Sequence, residues 1–147
     1  MTTRRGFLLT AGALLLGSLP GARAQGVPRV LVYKNAACGC CGEWIKHMRA
    51  NGFQVDARDV ADVAPIRRQN LVPDALASCH TALVAGYVIE GHVPAADVWR
   101  LLRERPAVKG LAVPGMVVGS PGMEQGKPQP YATIAFDTRG TRVFAQH

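Results

Sequence analysis

The pattern of apolar and polar positions along the chain predicts short strands alternating with helices. Six runs have the β-branched composition or the period-two alternation of strands, namely 29–33, 53–57, 81–84, 87–90, 133–136 and 142–144. Three segments have the amphipathic spacing of helices, namely 43–50, 63–70 and about 93–105. Residues 110–130 are rich in glycine and proline, which predicts a long loop before a closing hairpin.

The order strand, helix, strand, helix, hairpin, helix is that of the thioredoxin-like fold. We therefore predict an α/β class, a single domain with a βαβαββα core, and an extra C-terminal loop and hairpin. In that fold the loop after the first strand approaches the segment before the third strand. Here the loop is 34–42 and holds Cys38, Cys40 and Cys41, and the approaching segment is Ser78-Cys79-His80. The predicted topology thus places Cys79 beside the other three cysteines.

The first 24 residues have the features of an export signal. Arg4-Arg5 followed by Phe7 and Leu8 is typical of the twin-arginine type, and an apolar stretch, 7–19, leads to Ala22-Arg23-Ala24. Cleavage after about Ala24 leaves residues 25–147 as a thioredoxin-like metal-binding domain. We expect this domain in the bacterial periplasm, without membrane attachment after cleavage. An uncleaved membrane anchor is the alternative.

The whole chain has 147 residues and a formal net charge of +7, with 48% hydrophobic residues. This length favours one domain, and the apolar fraction excludes a disordered or collagen-like chain. Signal cleavage removes three arginines and lowers the net charge to +4. So small a charge, without an aromatic-basic patch, argues against nucleic acid as a partner.

The four cysteines point to chemistry rather than to a disulfide framework. Three of them fall within four positions in Cys38-Gly39-Cys40-Cys41, and such close pairs close almost no loop. Clustered thiolates select Cu(I), zinc or iron–sulfur groups. Thiol–disulfide exchange through Cys38 and Cys41, a closed structural zinc site, and inert buried thiols are the alternatives. An extra thiol between Cys38 and Cys41 would compete for the disulfide, which favours metal binding.

Histidine and methionine residues offer further soft-metal ligands. His80 follows Cys79 directly and is equally suited to bind metal or to support a ligand. A surface position is favoured for His47, and a loop or capping role for His92. Met116 and Met123 lie in Pro-Gly-flanked loop positions, from which a thioether can either reach a metal or fill a gap over the core.

Several motifs of the chain resemble the CopG family of periplasmic copper-resistance proteins, formerly catalogued as a domain of unknown function. They are Tyr33-Lys34, Cys38-Gly39-Cys40-Cys41, Trp44, His47, Asn51-Gly52-Phe53, Ser78-Cys79-His80-Thr81, 87–94, 110–116 and 119–124. The resemblance implies a thioredoxin-like protein whose four cysteines bind Cu(I), with more than one ion bridged. It also places the shared histidine and methionine positions at His47, His80, His92, Met116 and Met123.

We therefore expect a periplasmic copper-binding protein that acts in copper tolerance by sequestration, delivery or copper redox handling. Its expected partners are copper ions and other periplasmic copper-handling proteins. A metal-binding protein is favoured over an enzyme. The alternatives are a periplasmic thiol–disulfide oxidoreductase that uses Cys38 and Cys41, and a zinc-stabilised adaptor.

Overall fold

A computed structural model describes residues 26–147, so the expected export signal lies outside the described residues. The elements in chain order are β1 (Arg29–Lys34), α1 (Gly39–Ala50), β2 (Gln54–Asp59), α2 (Ala64–Gln69), a short 3-10 helix (Asp74–Leu76), β3 (His80–Val84), β4 (Tyr87–Gly91), α3 (Ala95–Glu104), β5 (Gly110–Val113), β6 (Ala132–Asp137) and β7 (Gly140–Gln146). Within 26–147, no helix combines the length and hydropathy that crossing a bilayer requires.

The strands form one sheet in the order β2-β1-β3-β4-β5-β6-β7. β1 and β2 are parallel because α1 crosses over between them, and β3 runs antiparallel to both β1 and β4. The elements from β1 to α3 thus have the predicted βαβαββα order. This arrangement confirms the predicted α/β, thioredoxin-like single domain.

The C-terminal part differs from the prediction at one point. The first four residues of the expected loop 110–130 form β5, which pairs parallel to β4 and antiparallel to β6. The closing hairpin is therefore a continuation of the main sheet. β5 escaped prediction because it is short and begins at Gly110, a residue that strands disfavour. Glycine is needed there, since a Cβ at Gly110 would collide with the backbone carbonyl of Val88.

Helix α1 packs its apolar face against the sheet. Trp44 and Met48 are fully buried, together with Val98 and Leu101 of α3. Burial of each such side chain stabilises the fold by roughly 1.5–3 kcal/mol. The Trp44 indole also donates a hydrogen bond of 2.9 Å to the Val93 carbonyl, so its polar edge is satisfied. These contacts fix the N-terminal turn of α1 at one end of the sheet.

The start of α1 differs from the prediction and matters for the cysteines. The helix begins at Gly39 rather than at residue 43, with Cys38 as an extended N-cap residue. Asn35 stabilises the turn before the helix, because its side chain accepts a hydrogen bond from the Ala37 N–H and its backbone carbonyl accepts one from the Cys38 N–H. The sequence lacks a Ser, Thr, Asp or Asn at the cap and has glycines at 39 and 42, which disfavour a helix. Cys40 and Cys41 consequently lie within the first turn.

Candidate metal centre

The four cysteine sulfur atoms form one cluster, within 4.8 Å of one another. Cys79 Sγ lies 3.4 Å from Cys41 Sγ and 3.8 Å from Cys40 Sγ. Cys38 and Cys40 Sγ are 3.6 Å apart. Three of the cysteines lie at the start of α1, whereas Cys79 is the residue directly before β3. The predicted proximity of Cys79 to the Cys38–Cys41 loop is confirmed.

Two of the four cysteines are joined in a disulfide. Cys38 and Cys41 are bonded to each other, and Cys40 and Cys79 are free thiols. This is an oxidised form of the cluster. Reduction by two electrons and two protons breaks the disulfide and yields four thiols in the same small volume.

His92 contacts the free thiol of Cys79 directly. Its Nε2 lies 3.1 Å from Cys79 Sγ, and its Nδ1 donates to the Pro121 carbonyl at 2.8 Å. Because the Nδ1 proton is engaged, Nε2 presents a lone pair to the thiol. Burial raises the pKa of Cys79 to about 12, with a further contribution from Cys40, so the thiol is protonated and donates to His92. His92 is thus buried beside the cluster rather than in a simple loop or capping position.

His80 lies on the other side of the same thiol. Its ring is fully buried, and its Nδ1 is 3.4 Å from Cys79 Sγ. Its Nε2 has no hydrogen-bond partner among residues 26–147. Burial lowers the pKa of His80 to about 3, with His92 adding to the effect, so the ring is neutral. Cys79, His80 and His92 therefore form a second group of ligand atoms within 4.8 Å, which shares Cys79 with the first.

This set of donors fits a soft metal ion. Thiolates and neutral imidazoles are ligands that Cu(I) and zinc accept, whereas Ca²⁺ and Mg²⁺ require oxygen ligands. The Nε2 of His80 is a buried polar atom without a hydrogen-bond partner among the described residues. The hydrogen bond from His92 Nδ1 to a backbone carbonyl is an arrangement that orients metal-binding histidines. The reduced cluster can accordingly hold a thiophilic ion.

The depressed pKa of His80 predicts a loss of stability in acid. Between about pH 3 and the ordinary value of 6.5 the unfolded protein binds a proton at this residue and the folded protein does not. Stability therefore falls as the pH drops below 6.5, by about 1.4 kcal/mol per pH unit for one proton. We expect His80→Phe to remove the contribution of His80 to the pH dependence of the free energy of unfolding in the metal-free protein.

Urea unfolding between pH 7.5 and 5 measures the effect. His47 and Glu90 also have shifted pKa values, but they are present in both proteins and cancel in the comparison. His92 interacts with His80, so the measured change includes the interaction between these two rings. Equal slopes for the wild type and His80→Phe would contradict a neutral, buried His80.

His47 lies on α1 in a structural contact. Its Nε2 accepts a hydrogen bond of 3.0 Å from the Ala95 N–H, at the start of α3. The residue before it, Pro94, has no side-chain group that could cap the helix. His47 thus supplies the missing cap and is half-buried rather than freely exposed; burial lowers its pKa. It belongs to neither group of clustered ligand atoms among the described residues.

The two candidate methionines differ in position. Met116 is 56% exposed, and the residue before it is tied to the Cys79 segment by a hydrogen bond from the Gly115 N–H to the Ala77 carbonyl. Met123 lines an open cavity of about 380 Å³ together with Cys40 and Gly122. The structure therefore brings Met123 to the cysteine cluster's surface and places Met116 on a neighbouring exposed loop.

Two residues of the site have no counterpart among the sequence-based candidates. Glu90 on β4 is fully buried and accepts a hydrogen bond from the Ser78 N–H, next to Cys79. Arg67 on α2 donates to the Ser78 carbonyl at 2.6 Å. The signal that could have revealed Glu90 is its place at the end of the apolar run 87–89, where a charged side chain is costly unless paired.

Comparison with solved structures identifies the family. A structure named "Copper resistance protein copG- Form 2" is 44% identical, covers 82% of this chain and 98% of its own, and has a TM-score of 0.78. A second, "Copper resistance protein copG- Form 1", is 45% identical, covers 81% and 96%, and has a TM-score of 0.76. The chain belongs to the CopG family.

A family model that matches a shorter part of the chain agrees with membership of the CopG family. A family model described as "Protein of unknown function, DUF411" matches residues 76–123. That segment contains Cys79, both buried histidines, Met116 and Met123. No curated protein matches the chain. The resemblance drawn from the motifs is thus confirmed at the level of the family, and it extends over most of residues 26–147.

Proposed function

We propose that the protein binds Cu(I) through Cys38, Cys40, Cys41 and Cys79 and acts in copper resistance. The observation that carries this proposal is the convergence of four sulfur atoms within 4.8 Å. Thiolates are the preferred ligands of Cu(I), and relatives that cover most of the chain are named copper resistance proteins. Copper is the cargo of this site.

The neighbouring imidazoles extend the proposed site. Since Cys79 belongs to both groups of ligand atoms, its sulfur is in a position to bridge two ions, one held by the cysteines and one held with His80 and His92. Met123 beside Cys40 is a further candidate ligand at the open side. His47 belongs to neither group of ligand atoms, and Met116 is 56% exposed on a neighbouring loop, so we assign these two residues no direct role in holding copper.

The redox state of the cluster determines how many ligands it offers. The disulfide form has two free thiols, and the reduced form has four. Binding of Cu(I) by four thiolates therefore requires prior reduction of the Cys38–Cys41 bond. We place this chemistry in the periplasm, after export through the twin-arginine signal in residues 1–24. Sequestration, delivery and copper redox handling are each compatible with such a site.

Thiol–disulfide exchange is the second candidate function, favoured by the disulfide between Cys38 and Cys41 at the start of α1. The two functions differ in whether they require the thiol of Cys40. A metal site uses its thiol as a ligand, whereas a two-cysteine exchange cycle does not need it.

An anaerobic Cu(I) titration of residues 25–147 tests the proposal. We expect the fully reduced protein to bind at least one Cu(I) stoichiometrically against a chromophoric Cu(I) chelator, and an equal concentration of zinc not to displace it. Protein left in the disulfide form is the internal control and should bind more weakly. Absence of Cu(I) binding combined with rapid reduction of insulin disulfides would establish the oxidoreductase function instead.

A further inference from the structure

Cys79 reaches the other sulfur atoms because the residue before it is held from three directions. The Ser78 N–H donates to Glu90 Oε1 at 2.7 Å, and the Ser78 carbonyl accepts from Arg67 Nη1 at 2.6 Å. The Ser78 hydroxyl donates to the Gly115 carbonyl. Each polar group of Ser78 is therefore bound to a different part of the chain, and Cys79 is the next residue.

Glu90 is the buried centre of this arrangement. Its side chain has no exposed surface, and its second oxygen accepts the Thr81 hydroxyl proton at 2.6 Å. Arg67 Nη1 lies 3.6 Å from Glu90 Oε1, so the same guanidinium group faces both the carboxylate and the Ser78 carbonyl. A buried ion pair contributes little net stability relative to apolar side chains of similar volume. Its effect here is on the geometry of the residues it binds.

We propose that Glu90 and Arg67 are positioning residues that hold Cys79 in the cysteine cluster. Cys79 differs from the other three cysteines because it comes from a separate part of the chain, and its distance to Cys40 and Cys41 depends on the path of Ser78. Gly91 permits this path, since a Cβ at that position would lie 2.5 Å from Ser78 Cβ. This role rests on the proposed function, because Glu90 and Arg67 would set the geometry of the proposed copper site.

The variant Glu90→Gln tests this role with little change in shape. Glutamine retains a carbonyl acceptor for the Ser78 N–H but loses the charge that faces Arg67. We expect the Cu(I) affinity of the reduced protein to fall at least tenfold, within the range of about 10–100-fold for loss of a residue that orients a metal ligand. Arg67→Lys, which keeps the positive charge but lacks the forked guanidinium, should lower the affinity in the same direction.

A double-mutant cycle separates positioning from a general effect on the fold. If Glu90 acts through Cys79, Glu90→Gln should change the Cu(I) affinity by less than twofold once Cys79 is already serine. A tenfold effect that persists in the Cys79→Ser background would overturn the proposal.

Asp97→Asn is the matched control. Asp97 is also a buried carboxyl, bound to the Thr133 hydroxyl at 2.6 Å and to His147 Nε2 at 2.9 Å, and these partners lie outside the cluster. We expect this variant to be less stable in urea but to bind Cu(I) within twofold of the wild type.

A metal-free measurement decides the positioning role even if the wild type binds no Cu(I), in which case the proposed function fails by itself. Tryptic peptide 69–100 contains Cys79 as its single cysteine. The rate of Cys79 alkylation by iodoacetamide in the reduced protein can therefore be followed by mass spectrometry. We expect at least a fivefold faster rate in Glu90→Gln and an unchanged rate in Asp97→Asn. Equal rates in the wild type and Glu90→Gln would refute the positioning role.

Discussion

Replacing Cys40 and Cys79 together with serine is expected to abolish stoichiometric Cu(I) binding by the reduced protein. The change removes both thiols that are free in the disulfide form, including the sulfur shared by the two groups of ligand atoms. Serine hydroxyls are hard donors and do not replace thiolates as ligands of Cu(I). The loss should exceed about 100-fold, the upper end of the effect of removing a residue that merely supports a ligand.

Competition with a chromophoric chelator under anaerobic conditions measures this affinity. The matched control, Cys38→Ser with Cys41→Ser, also replaces two cysteines but leaves the sulfur atoms of Cys40 and Cys79, 3.8 Å apart. Cys40 and Cys79 are the two thiols that the disulfide form leaves free, so this control should still bind one Cu(I), though more weakly than the fully reduced wild type. Stoichiometric binding by the Cys40→Ser, Cys79→Ser protein would show that the proposed ligands are wrong.

Gly122→Ala is expected to destabilise the protein by about 3 kcal/mol. Gly122 has a φ of +88°, and a Cβ there would lie 2.7 Å from the Cys40 carbonyl oxygen and 2.8 Å from the Trp44 amide nitrogen. The left-handed conformation costs alanine about 1–2 kcal/mol, and forcing an atom into a packed site costs roughly 1–3 kcal/mol more. Urea unfolding of the metal-free, oxidised protein measures the difference.

The chain contains a control for the steric part of this effect. Gly86, in the turn between β3 and β4, has a φ of +87°, and a Cβ there would have no atom within 4 Å. Gly86→Ala therefore isolates the conformational cost, which we expect to be about 1 kcal/mol. If the two variants were equally stable, the close approach of Gly122 to the first turn of α1 would have no energetic importance.

Much of the fold could be predicted from local patterns. The strands β1, β3 and β4 and the helix α3 agree with the predicted runs to within about two residues, because each has an uninterrupted apolar or amphipathic pattern. The meeting of Cys79 with the α1 cysteines followed from topology alone. It required only that β1 and β3 be neighbours, as the pairing of Lys34 with His80 shows.

The remaining features depend on contacts that no local pattern reveals. β5 is recognisable only once β4 and β6 pair with it on either side. The start of α1 depends on Asn35, which forms a turn rather than a standard cap. The contact between His92 and Cys79 requires the carbonyl of Pro121, distant in sequence. Ion pairs such as Arg67 with Glu90 join separate elements, and their partners cannot be matched without the structure.

The incorporation of β5 and β6 into the main sheet has a consequence for the segment between them. Both ends of this segment are fixed by strand pairing, and its Gly119–Met123 turn is closed by backbone hydrogen bonds. Met123 is therefore held at the cavity that it lines together with Cys40, which gives it a high effective concentration there. A thioether on another protein would lose translational and rotational freedom on reaching the same place. In the proposed copper site, Met123 would therefore bind an ion at this opening in preference to an incoming thioether.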